Sequence, residues 1–267
     1  MNLLFIGDII GKPGRRIVQH LLPRLQKAFD VEFTVANVEN AAGGFGLTPP
    51  VAKEMLEAGV DVMTSGNHIW DKKEIFDHLQ GCPQLLRPAN YPPGAPGKGM
   101  CVGQTVRGIP VVVINLQGRV FLPPIDCPFR AADALLQEVQ GKARVVLIDF
   151  HAEATSEKIC LGRYLDGRVS AVIGTHTHVQ TADEQILPQK TAFLTDAGMT
   201  GPHDSIIGVE FDSSLQRFLL QVPRKYATAE KDVRLHGALV EVEEETGRAR
   251  SIRRLSLPDS WHPEMSA

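Results

Sequence analysis

Five short segments carry side chains of the kinds that hold metal ions. Asp8 follows the run LLFIG, Glu39 and Asn40 follow EFTVANV, and Asn67 and His68 follow VDVMTSG. His151 follows RVVLIDF, and His176 and His178 follow VSAVIG. Asp8 and Glu39 offer anionic oxygens, Asn40 and Asn67 offer neutral carbonyl oxygens, and the histidines offer imidazole nitrogens. A mixed nitrogen and oxygen set without thiolate suits Mn, Fe, Zn or Co better than Mg or Ca. The seven candidates Asp8, Glu39, Asn40, Asn67, His151, His176 and His178 exceed the four ligands of a closed zinc site, so two ions are the more economical reading. Glu39 is placed to bridge them. Taken singly, some have other uses: Asp8 as a turn or cap residue, Asn40 as a turn residue, His151 as a buried hydrogen-bonded histidine. Gly174-Thr-His-Thr-His is the most specific signal, because two histidines two apart in such a loop have few structural roles.

Other residues read as structural. His20, His78, His236 and His262 fall in amphipathic or terminal stretches, and His203 stays open. Trp70 reads as a loop-packing residue. The glycines of GGFG (43–46) lack a Walker pattern and read as a backbone turn close to the site. Lys12, Arg15, Arg16, Lys72 and Lys73 read as solvated helix faces. No G-x-S-x-G elbow is present.

The elements that must position these loops follow one rhythm. A β-branched run of strand length ends in a polar loop, and a stretch of helical spacing follows. Pro13 fits a first helical turn, and Thr48-Pro49 fits a cap followed by a first-turn proline. Such alternation argues an α/β fold with buried, mainly parallel strands. Ligands of open α/β sheets bind beyond the carboxyl ends of the strands, so loops distant in sequence can converge there. The Pro/Gly-rich stretch 87–99 reads as a loop, and strands at 100–106 and 109–118 flank a turn at Gly108. Residues 238–255 read as a hairpin around Thr246-Gly247. Its glutamates 241 and 243–245 either face arginines 248, 250, 253 and 254 or belong to two solvated edge strands. One domain over residues 1–267, built on two sheets, is the simplest organisation, with a split near 87–99 as the alternative.

Composition narrows the functional classes. The chain has 267 residues, 43% of them hydrophobic and 22% charged, which fits a globular protein and excludes a disordered or fibrous one. A net charge of −3 argues against coating a long nucleic acid. The four cysteines form no C-x-x-C pair and read as reduced thiols. The first residues do not read as a signal peptide, and no apolar run is long enough to span a membrane. The expected location is the cytoplasm.

At GD (7–8), NVENAAGGFG (37–46), SGNHIWDKKE (65–74), DFHAEATSEK (149–158) and GTHTHVQTADE (174–184), the sequence resembles the YmdB-type metallophosphoesterases, a branch of the calcineurin-like phosphoesterases. RPANYP (87–92) and TDAGMTGPHDSIIG (195–208) extend the resemblance to nearly the whole chain. The resemblance implies a four-layer fold, a sandwich of two β-sheets flanked by α-helices. It implies a dinuclear centre, with iron the associated metal and manganese or zinc as other occupants, and hydrolysis of 2′,3′- or 3′,5′-cyclic nucleotides. Carried over, Asp8, Glu39, Asn40 and His178 would hold one metal. Glu39, Asn67, His151 and His176 would hold the other, and His68 would be the proton donor. The broader superfamily has Asp-x-His at the first strand, where this chain has Ile10. It bridges with an Asp, where N-x-E-N here supplies Glu39 and Asn40. A metal-containing regulatory or RNA-associated binding protein, and a phosphomonoesterase or nuclease on the same centre, remain open alternatives. So does a homo-oligomer.

Overall fold

The computed structural model describes residues 1–222 and 226–266. Along the chain, β1 (Asn2–Ile6) leads into α1 (Gly11–Ala28), β2 (Val31–Asn37), α2 (Pro49–Glu57) and β3 (Val62–Thr64). A 3₁₀ turn (Asn67–Trp70) and α3 (Ile75–Gly81) precede β4 (Met100–Gln104) and β5 (Pro110–Gln117). Next come α4 (Pro128–Glu138), β6 (Val145–His151), α5 (Thr155–Tyr164) and β7 (Ala171–Thr175). Short strands β8 (Gln185–Ile186), β9 (Ala192–Leu194) and β10 (Gly201–Pro202) follow. The chain then forms α6 (Phe211–Leu220), β11 (Val233–Val242) and β12 (Ala249–Pro258).

Among the described residues the strands form two six-stranded sheets. The first has the order β10-β11-β1-β2-β3, with β12 also paired to β11. The second has the order β4-β5-β6-β7-β9-β8. The β-α-β stretches pair parallel: β1 with β2, β2 with β3, β5 with β6, and β6 with β7. Hairpins and edges supply the antiparallel pairs, as the turn at Gly108 requires for β4 and β5.

Strand alternation sorts side chains into three apolar layers. In β1, Leu4 and Ile6 pack with the α1 residues Ile17, Val18, Leu21, Leu22 and Leu25. Leu3 and Phe5 face the other way, into the layer between the sheets with Val111 and Val113 of β5. Val112 and Ile114 of β5 join Leu161 of α5 and Ala132 of α4 in the third layer. Strands buried on both faces must be apolar throughout, which is why LLFI and VVVI show no polar alternation. The result is helices, sheet, sheet, helices: the four-layer α/β sandwich.

Some local expectations need correction. Thr48 occupies the cap position of α2 with Pro49 behind it, but its side chain makes no capping hydrogen bond. The 238–255 hairpin exists as β11 and β12, yet its charges do not oppose one another across the strands. Leu239 faces Arg253, Ala238 faces Arg254 and Glu241 faces Ser251. Arg250 alone reaches a hairpin glutamate, Glu243, at 2.6 Å. Nor are both strands solvated edges, because β11 pairs with β1 and β10 as well as β12. The four cysteines are unpaired, and no helix among the described residues is long and apolar enough to cross a membrane.

Candidate metal centre

All the singled-out loops lie at carboxyl ends of strands. Asp8 follows β1, Glu39 and Asn40 follow β2, and Asn67 follows β3, all in the first sheet. His151 ends β6, and His176 and His178 follow β7, in the second sheet. A continuous path of short distances joins the seven. His178 Nε2 lies 3.9 Å from Asp8 Oδ1 and 3.2 Å from Asn40 Nδ2. Asn40 Nδ2 donates to Glu39 Oε1 at 3.2 Å. Glu39 Oε1 lies 3.2 Å from His151 Nε2, which lies 3.0 Å from both Asn67 Oδ1 and His176 Nδ1. Ligand atoms of Glu39, His151 and His176 all fall within 4.8 Å of one another.

Each histidine is anchored through one ring nitrogen, which leaves the other for the centre. The Thr175 hydroxyl donates to Asp149 Oδ1 at 2.7 Å, so it accepts from His151 Nδ1 at 3.0 Å. That fixes Nε2 of His151 toward Glu39. His178 Nδ1 lies 2.9 Å from the Ile207 carbonyl, which can only accept, so its Nε2 faces Asp8 and Asn40. His176 Nε2 meets Glu153 Oε2 at 3.1 Å, leaving Nδ1 inward. Partners behind ligating imidazoles set tautomer and orientation in this way at metal sites. The sequence reading missed Thr175, Asp149 and Glu153. Glu153, two residues after His151, carried a local signal; Asp149 looks like an ordinary strand residue, and Thr175 is overshadowed by the two histidines that follow it.

Charge and strain fit a cation. Asp8 Oδ1 and Asn40 Oδ1 are buried oxygens with no hydrogen-bond partner. A buried oxygen of that kind costs about 1–3 kcal/mol unless something satisfies it. Burial pushes the Asp8 carboxyl above its ordinary value. Burial opposes the charge of Glu39 too, but the adjacent His151 and the His68 N–H outweigh it and hold that carboxyl at about 2. Burial would discharge His151, yet Glu39 keeps its imidazolium up at about 9. Burial, and then the charge of His151, press His176 down to about 3. His176 and His178 both sit at positive φ, 101° and 66°, a conformation costing roughly 1–3 kcal/mol each. Asp196 holds the loop in that shape. It accepts from Thr177 N–H and Oγ–H at 3.1 and 2.8 Å and from buried Lys158 Nζ at 2.6 Å. Gly66 is required for a similar reason, since a Cβ there would lie 2.1 Å from His151 Cδ2.

His68 stands beside the cluster. Its backbone N–H donates to Glu39 Oε2 at 3.0 Å, and its Nδ1 meets Asp71 Oδ2 at 2.8 Å. It also lines a cavity of about 390 Å³ that opens on Glu39, Asn40, His176 and His178. No Lys or Arg is among the described residues lining that cavity. Arg15 is not a merely solvated residue: it binds Glu54 at 2.8 Å and the Ala41 carbonyl at 2.6 Å, which ties down the loop bearing Glu39 and Asn40. Trp70 packs edge-on against Phe76 and Tyr91 outside the cavity, and His203 rests against His236 with ring centroids 4.2 Å apart.

Comparison with known proteins gives concordant matches. Residues 4–255 match the family model described as YmdB-like protein. The chain is 49% identical over 259 residues to a Bacillus subtilis (strain 168) protein named 2′,3′-cyclic-nucleotide 2′-phosphodiesterase, covering 97% of this chain and 98% of that one. A crystal structure of a hypothetical protein from Thermus thermophilus superposes with a TM-score of 0.90 at 44% identity, over 97% of this chain and 99% of that one. A structure described as a novel phosphatase, from Mycoplasma pneumoniae, also gives 0.90, at 30% identity over 97% and 93%.

Proposed function

The chain belongs to the YmdB-like protein family, and from that premise we propose that it is a metal-dependent phosphodiesterase acting on cyclic nucleotides, 2′,3′ or 3′,5′. The observation that carries this reading is the set of three histidines, each anchored through one nitrogen, whose other nitrogens gather beside Glu39 and the partnerless Asp8 Oδ1. Asp8, Glu39, Asn40 and His178 would hold one ion. Glu39, Asn67, His151 and His176 would hold a second, with Glu39 shared. Iron is the first expected occupant, with manganese or zinc next. Bound there, the ions would supply Lewis-acid stabilisation of phosphoryl oxygens and make water a stronger nucleophile at neutral pH.

The chain's own residues do the rest. Glu39 and Asp8 place two buried carboxylates behind the histidines, where they would hold the ions. The oxygen of a water bonds to phosphorus as one P–O bond to ribose breaks; the water gives up a proton to solvent, and the departing oxygen takes one. His68 supplies it. Asp71 holds Nδ1 of that ring, which leaves Nε2 to deliver the proton into the cavity. A 2′,3′-cyclic substrate opened at the 2′ oxygen leaves a nucleoside 3′-monophosphate. Among the described lining residues none is Lys or Arg, which accords with a singly charged diester.

Elemental analysis of purified protein, paired with assays on 2′,3′- and 3′,5′-cyclic nucleotides, tests the reading. About two metal equivalents and turnover of one class are expected. A metal-loaded protein inert on both would refute it. The likeness to the Mycoplasma pneumoniae structure described as a phosphatase supports a second reading, a monoesterase on the same centre. The ratio of diester to monoester turnover separates the two.

A further inference from the structure

Part of the cavity beside the cluster is aromatic. Phe45 and Tyr226 line it, together with Phe218 and Ile10. The Phe45 ring stands 5.2 Å from that of His68, nearly edge-on at 66°. Tyr226 stacks on Phe45 at 5.7 Å and 27°. Both rings are only half-buried, and neither belongs to an apolar layer of the fold. Packing therefore does not explain Phe45. Its loop is shaped by backbone instead, with Gly43 and Gly44 at φ +73° and +94°. Tyr226 is restrained from outside, where Arg217 lies 4.9 Å over its ring and hydrogen-bonds its hydroxyl.

We propose that Phe45, supported by Tyr226, is the platform on which the substrate's nucleobase stacks. The inference rests on the cyclic-nucleotide reading above and makes Phe45 a specificity-determining residue. In a cyclic nucleotide one ribose separates phosphorus from base. Phe45 is likewise one side chain removed from His68, which faces the leaving ribose oxygen. A half-exposed ring pair offers every base a π-face, and base–aromatic stacking tolerates sequence. The platform selects nucleosides over base-less diesters, and it favours purines, whose rings overlap more.

The test compares wild type with Phe45→Ala and Phe45→Trp, in metal-loaded protein. The substrates are adenosine 2′,3′-cyclic phosphate and the base-less methyl ribofuranoside 2,3-cyclic phosphate. Calorimetric binding of adenosine 3′-monophosphate is measured alongside. Phe45→Ala is expected to raise the nucleotide KM and Kd about 5- to 150-fold, the loss for one base–aromatic stack. Its kcat, and its kinetics on the base-less substrate, should stay within about twofold. Phe45→Trp should keep wild-type affinity. Equal losses on both substrates, or a fall in kcat at unchanged KM, would overturn the proposal and assign Phe45 to positioning His68. If wild type hydrolyses neither substrate, the phosphodiesterase reading fails on its own. The calorimetric ratio then decides the platform, and an unchanged Kd overturns it.

Discussion

Thr175→Val removes one hydroxyl from behind the candidate metal centre and keeps the volume of the side chain. In the structure that oxygen accepts from His151 Nδ1 at 3.0 Å and donates to Asp149 Oδ1 at 2.7 Å. All three residues are fully buried, so no bulk water replaces the lost partner. Asp149 keeps Thr64 and Asn37 on its other oxygen, but Oδ1 and the His151 N–H are orphaned. At about 1–3 kcal/mol per orphaned buried group, the two groups make the expected loss of stability roughly 2–6 kcal/mol. That is a large share of the ~5–15 kcal/mol that holds a typical domain together. Separately, the His151 ring loses the contact that fixes its tautomer and angle, and metal affinity should fall about 10- to 100-fold. Urea unfolding measures the first effect, and metal titration with parallel turnover measures the second. Thr175→Ser, which restores the hydroxyl, should recover both. A destabilised Thr175→Val protein with wild-type metal affinity would show that the hydroxyl supports the fold alone, and the orienting argument would be refuted.

Three further outcomes are expected. His68→Ala should lose about 10²- to 10⁴-fold in kcat on a substrate leaving as ribose alkoxide, and far less on a nitrophenyl ester whose leaving group needs no proton; equal losses would remove His68 from the acid role. Chelation should abolish turnover and lower the melting temperature, because ligands come from both sheets and binding to the folded form alone stabilises it; identical melting curves with and without metal would contradict that placement. His236 is buried against His203, and burial together with that neighbour lowers its pKa to about 3 from 6.5. Between those values the unfolded chain binds a proton that the folded one refuses, so stability falls as pH drops from about 6.5 toward 3. His236→Gln should flatten that part of the stability curve, and a variant as acid-sensitive as wild type would show that His236 is not responsible.

The candidate site was unusually legible because its candidate ligands stand where apolar strands stop. Runs such as VSAVIG and RVVLIDF mark their own ends, and a polar residue at such an end is conspicuous. The same rule explains what stayed hidden. Asp149 lies inside β6, and Thr175, though it closes β7 within the Gly174-Thr-His-Thr-His signal, is overshadowed there by the two histidines. Arg15 looked solvated because its partners, Glu54 and the Ala41 carbonyl, are 26 or more positions away. Strands β8 and β10 are two residues long, too short to show any period. The hairpin charges misled because opposite charges in sequence are not opposite in register, which here pairs the arginines with Leu239 and Ala238.

The order of strands in the first sheet also bears on how the chain is completed during synthesis. Every candidate ligand lies between Asp8 and His178. Yet β1, which presents Asp8, is flanked on one side by β2 and on the other by β11, which starts only at Val233. A growing chain that has just exposed His178 therefore carries the full ligand set but lacks the strand that covers one edge of β1. Until the last hairpin arrives, that edge presents unpaired N–H and C=O groups to any passing chain. Strands β11 and β12 hold none of the candidate ligands, and β11 still closes the edge of the strand that presents Asp8.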